Sequence, residues 1–130
     1  MGSGRIAGSA TRATLLALVA FAFAAHASPM TEREKIDALI HVIEAHPELK
    51  FIRLGTVHSS SEAAQMLRTK LRFAGWRVRT ADEFIEHVAT ATQSGSPYLV
   101  VYPDGRQVTS AAFLQAELER ISKNPAPISQ

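Results

Sequence analysis

Three residues of this chain have the type and placement for ligand chemistry: Arg53, Ser94 and Tyr98. Arg53 closes the strand-like segment Leu49 to Ile52, apolar except for Lys50, while Ser94-Gly95-Ser96-Pro97-Tyr98 leads a polar stretch into a second apolar run. A guanidinium at a strand end either joins a structural ion pair or offers its planar fork of donors to a carboxylate or phosphate. If both apolar runs enter one sheet, Arg53, Ser94 and Tyr98 share a surface able to hold a small anionic ligand. The structural alternative pairs Arg53 with Glu62 or Asp82 and leaves Gly95 and Pro97 to shape a turn.

Other constellations are weaker. A hydrolase would use Ser94 as nucleophile, His58 or His87 as base and Asp82 as orienting acid. Ser94 lies outside a G-x-S-x-G elbow, and a helix precedes it where the elbow needs a strand. No catalytic residue is therefore assigned. His41 and His46 stand five apart, about 140° around a helix, which suits no single metal ion. His87 with Asp82, Glu83 and Glu86 reads as a solvated helix face before it reads as a zinc site. Neither a phosphate loop nor G-x-G-x-x-G occurs, so no metal and no cofactor are expected. Cysteine is absent, which removes disulfides, thiolate ligands and thiol catalysis together.

The elements that must position these residues are marked by caps and periodicity. Thr31 with Glu34 is a capping box, followed by Ile36, Leu39, Ile40 and Ile43 on one helical face that Pro47 stops. Leu49 to Arg53 and Thr56 to His58 read as strands joined by Leu54-Gly55. Ser59 with Glu62 opens a second helix carrying Ala63, Leu67, Leu71 and Ala74, which Gly75 ends, with Trp76 and Val78 expected to seal the core. Thr80 with Glu83 opens a third, with Phe84, Ile85 and Val88 inward; the polar stretch Thr90 to Ser96 is expected to be a mobile loop. Tyr98 to Tyr102 and Gln107 to Thr109 form a hairpin about Pro103-Asp104-Gly105, and Ser110 caps a helix bearing Phe113, Leu114, Leu118 and Ile121. The fold class is α+β: a small antiparallel sheet from two hairpins, packed with about four helices as helix-hairpin-helix twice. Gly55 and Gly105 at corresponding turns leave a duplicated half open, although few residues match between halves.

Before these elements stands a three-part leader. Arg5 and Arg12 carry positive charge, Leu15 to Ala25 is uninterrupted apolar, and Ala25-His26-Ala27 is the A-x-A pattern of signal peptidase, with the cut before Ser28. Eleven apolar residues cover about half of a ~30 Å hydrocarbon core, so cleavage fits better than a membrane anchor. The expected organisation is a cleavable signal over residues 1–27, one domain over 28–123 and a flexible tail over 124–130, with the mature protein periplasmic and free of a membrane span. Excluding Arg5 and Arg12 leaves twelve basic and twelve acidic residues, which weakens the nucleic-acid reading that the overall pI near 9.3 invites.

Phe51-Ile52-Arg53-x-Gly55, then Glu62-Ala63-Ala64 with Leu67 and Lys70, Thr80-Ala81 with Phe84-Ile85, Ser94-Gly95-x-Pro97-Tyr98 and Asp104-Gly105 follow one another in a familiar order. From about Ile36 to Ile121 the chain resembles the YfeK-like family of small exported bacterial proteins of unknown function. That resemblance implies a periplasmic setting and brings no activity, ligand or catalytic residue. Leu54 stands where many relatives have Asn, and His46-Pro47-Glu48-Leu49 carries no Cys where relatives have one. The combined reading is a non-enzymatic periplasmic domain that binds a small anionic ligand or an envelope component. A protein-interaction module of the envelope, with an envelope protein as partner, is the first alternative, and a hydrolase the second.

Overall fold

The computed structural model describes residues 28–125, with Gly2 and Gly4. The leader, Ala27 at its cleavage point and the end of the tail lie outside the described residues. Eight elements follow in order: α1 (Glu32–Glu44), β1 (Lys50–Arg53), β2 (Thr56–His58), α2 (Ser60–Ala74), α3 (Ala81–His87), β3 (Leu99–Val101), β4 (Gln107–Thr109) and α4 (Ser110–Lys123). A 3-10 turn, Gly75–Arg77, follows α2. All three expected capping boxes form, with Thr31, Ser59 and Thr80 each accepting from the backbone three residues on. Such boxes satisfy orphan N–H groups that a helix start would otherwise leave open.

The four strands make one antiparallel sheet in the order β2-β1-β3-β4. The two hairpins therefore join through their first strands, Phe51 facing Val100 across the seam. Strand alternation puts His58, Phe51, Val100 and Val108 in one row and Val57, Ile52 and Leu99 in another. Helices cover the first row: Phe51 and Val100 enter a single core with Ile36, Leu39, Ile40 and Ile43 of α1, Ala63, Ala64 and Leu67 of α2, Phe84 and Ile85 of α3, and Phe113, Leu114 and Leu118 of α4. All of these core residues fall between the first turn of α1 and the last turn of α4, so residues 28–130 contain the whole described fold.

The topology is symmetric about the β1–β3 seam. Thr31 and Thr80 head α1 and α3, and Ser59 and Thr109 head α2 and α4. Buried Ser60 and Ser110 are the first residues of α2 and α4. Symmetry fails in the helix layer: α1 packs on α4, while the counterpart pair α2 and α3 is nearly out of contact.

Several boundaries differ from expectation. α1 ends at Glu44, ahead of Pro47, because Ala45 and His46 already turn the chain toward Leu49. Thr109, the last residue of β4, caps α4 and leaves Ser110 inside the helix. Trp76 does not seal the core. It is 78% exposed, since the positive φ of Gly75 (54°) swings the chain outward in the 3-10 turn, and Val78 alone packs back. Polar residues 90–96 do form a loop, but one laced by its own bonds: the Thr92 amide donates to the Ser96 carbonyl, that of Gly95 to Thr92 and that of Tyr98 to Thr90.

Candidate functional site

Between α2, the first hairpin and the loop entering β3 lies a cleft of about 450 Å³. Its floor comes from Phe51 and Ile43, one wall from Met66, Lys70 and Phe73 of α2, and the other from Thr92, Gln93 and Tyr98 of the loop entering β3. Arg53 and His58 line the side formed by the first hairpin. Arg53 and Tyr98, placed on one surface by sequence reasoning, therefore do line one cleft. Ser94 does not; it stands behind the wall, its hydroxyl 2.9 Å from that of Thr92.

Each side chain is held by its element. Arg53 ends β1 opposite Thr56, is exposed, and has no acidic partner within ion-pair distance among the described residues. Neither Glu62 nor Asp82 takes it: Glu62 caps α2 and lies 3.6 Å from His58, and Asp82 accepts from Gln115. Tyr98 is fixed by Lys70, which sequence reasoning noted only as part of a family pattern. The Lys70 ammonium donates to the Val88 carbonyl at 2.9 Å, the Ala91 carbonyl at 2.8 Å and the Tyr98 hydroxyl at 3.1 Å. Val88 is the C-terminal cap of α3, where a cation also meets the negative end of the helix dipole.

This triple contact decides the polarity of the site. Lysine has three protons and no acceptor, so all three are engaged and the Tyr98 oxygen must be the acceptor from Lys70. The phenol's own proton is then left to donate into the cleft. Arg53 and Tyr98 thus offer donors, while Met66 and Phe73 offer apolar surface. An acceptor-bearing ligand with an apolar body matches that lining.

The hydrolase set is not assembled. Ser94 sits outside the cleft that His58 lines, and Asp82 is bonded to Gln115 on α4. Among the described residues, no three His, Asp or Glu side chains converge as metal ligands, so Asp82, Glu83, Glu86 and His87 do not form the zinc site weighed above.

A family of unknown function, DUF5329, matches residues 30–122. The chain belongs to this family. DUF5329 thus spans every element from α1 nearly to the end of α4, cleft included. An uncharacterized protein, YfeK, of Salmonella typhimurium strain LT2 is 35% identical over 68 residues, covering 52% of this chain and 57% of that protein. The chain therefore spans less than two thirds of that relative's length, and the YfeK-like resemblance holds at the level of family. No solved structure matches significantly. Among the described residues of this DUF5329 member, no helix is long and apolar enough to cross a membrane.

Proposed function

We propose that this protein is an exported, non-enzymatic domain of the bacterial periplasm whose cleft binds a small carboxylate with an apolar body. The signal-peptide pattern of residues 1–27 supports export. One observation carries the ligand reading: a guanidinium with no acidic partner among the described residues and a phenol proton left over by the Lys70 contact both border a cleft whose remaining lining is largely apolar. In this reading Arg53 grips the carboxylate, Tyr98 donates to it, and Met66 with Phe73 covers the apolar portion. Lys70 acts through Tyr98 as a positioning residue. Ser94 contributes at one remove, by holding the Thr92 hydroxyl.

Thermal unfolding of residues 28–130 with octanoate, phenylacetate and inorganic phosphate tests the reading. At 100 times its Kd a ligand adds about 2.7 kcal/mol of stability, a readily measured rise in Tm. The carboxylates are expected to raise Tm, phosphate to do so less, and Arg53→Gln to abolish the rise while leaving the unliganded Tm unchanged. An unchanged Tm with every carboxylate tried, or a rise that survives Arg53→Gln, would sink the proposal.

A further inference from the structure

Of the four large hydrophobic residues exposed on the described surface, Phe73 and Trp76 stand three apart at the end of α2, 87% and 78% exposed. Around them run Arg72, Arg77 and Arg79, and the segment Arg72-Phe73-Ala74-Gly75-Trp76-Arg77-Val78-Arg79 contains no acidic residue. None of these three guanidinium groups makes an ion pair among the described residues. Arg72 reaches the Thr69 hydroxyl at 3.3 Å and Arg77 lies 5.8 Å over the Trp76 ring. Asp82, the nearest carboxylate in sequence, accepts from Gln115, and Glu83 accepts from the backbone amides of Arg79 and Thr80.

Beside this turn a groove of about 680 Å³ runs between α1 and α2, with Arg33, Arg68, Arg72 and Arg79 along it and Asp37 as its one acid. Asp37 faces Arg33 at 3.4 Å, and Arg68 is held by Glu44. Among the described residues Arg72 and Arg79 therefore keep uncompensated charge at the groove. Since residues 28–130 are formally neutral, this is a local concentration of positive charge and not a property of the whole surface.

Phe73 projects from the last turn of α2 and Trp76 from the 3-10 turn after it, and Trp76 lines neither the cleft nor the groove. Projecting aromatics among arginines suit insertion at the headgroup level of a bilayer, where amphipathic rings settle and cations meet lipid phosphates. We propose that residues 72–79 form a docking wedge for the surface of an anionic phospholipid membrane. Phe73 and Trp76 enter the interface, and Arg72, Arg77 and Arg79 bind lipid phosphates, two of them from the groove. The proposal shares Phe73 with the cleft wall but uses neither Arg53 nor Tyr98, so it stands whether or not the cleft binds a ligand.

Trp76 is the chain's sole tryptophan, so its emission reports on the wedge directly. Residues 28–130 are mixed with vesicles of phosphatidylcholine alone or with phosphatidylglycerol, and both emission and flotation are followed. With phosphatidylglycerol the expected result is a blue shift and flotation that weaken as salt rises. Partitioning should fall about five-fold for each of Arg77→Gln and Arg79→Gln, and collapse in Phe73→Ser, with unchanged circular dichroism. Arg53→Gln should leave it intact, which separates this test from that of the cleft. Absence of a shift with phosphatidylglycerol, flotation indifferent to these substitutions, or a shift with soluble heparin but not with vesicles would each overturn the membrane assignment.

Discussion

Leu54 sits at φ 50°, the one non-glycine residue of the described chain with positive φ, and Gly55 follows at 76°. A two-residue turn with both φ values positive is the hairpin geometry that favours Asn-Gly, and a leucine pays about 1 kcal/mol to adopt it. Leu54 is 58% exposed, so little packing is lost on replacement. Leu54→Asn is therefore expected to stabilise the domain by about 1 kcal/mol, read as a higher denaturant midpoint at unchanged slope. The departure from the family's Asn was visible in the sequence, while the strain was not, because Leu54 alone does not reveal which turn it will occupy. Arg53 and Tyr98 were legible for a simpler reason: each lies beside a strong apolar run, and a strand end fixes where its neighbours point.

Lys70 shows what a linear reading misses between elements. Its partners are carbonyls 18 and 21 residues away, and carbonyls carry no side-chain signature. Replacing it with methionine keeps the stem and removes three hydrogen bonds. Lys70→Met should cost about 1–3 kcal/mol and accelerate amide exchange at Thr92, Gly95 and Tyr98 more than in β1. Equal acceleration throughout would mean that Lys70 has no special hold on the loop. Glu32 plays a related part at the other end of α3. Its carboxylate takes a 2.7 Å contact from Lys35 and accepts the Ala81 amide at 2.8 Å, so the first residue of α1 completes the first turn of α3. Ala81 is buried, and Glu32→Ala would leave its N–H unpaired. The side chain of Glu32 is 40% exposed, so solvent screening limits the expected loss to about 1 kcal/mol, measurable by thermal unfolding. Helix starts were legible because capping boxes are local; Trp76 was misplaced because its exposure depends on how the chain leaves Gly75.

Across the whole molecule, acid should act in one direction. The Glu32 carboxyl is held below the ordinary glutamate value of 4.5 chiefly by its hydrogen bond from Lys35, Glu34 by the Thr31 amide, Glu44 by the Arg68 fork and Glu48 by His46. Carboxyls depressed on folding bind protons more readily when unfolded. Their stabilisation is complete above the unfolded value and is lost as pH falls through it toward the folded ones. Tm should accordingly be level with respect to these groups near pH 6 and fall on acidification below about 4.5, more steeply in low salt. A Tm that rises on acidification would contradict these assignments. The α+β class and doubled element order were also legible at this scale, since each element is signalled locally. The seam between hairpins, and the cleft between α2, the first hairpin and the loop entering β3, arise only from packing.

The seam carries a consequence for kinetics. Each hairpin closes over a turn of a few residues, and each can form early from neighbours in sequence. Joining Phe51 to Val100 instead closes a loop of about fifty residues, and that chain entropy is spent before the core repays it. The seam should therefore form late, at the barrier. Substitutions there, such as Val100→Ala, should slow refolding, and Leu54→Asn, at the tip of a hairpin formed before the barrier, should speed refolding with little effect on unfolding. Two halves of alike design would meet by their first strands, and the time taken to find that register sets the rate at which the protein becomes whole.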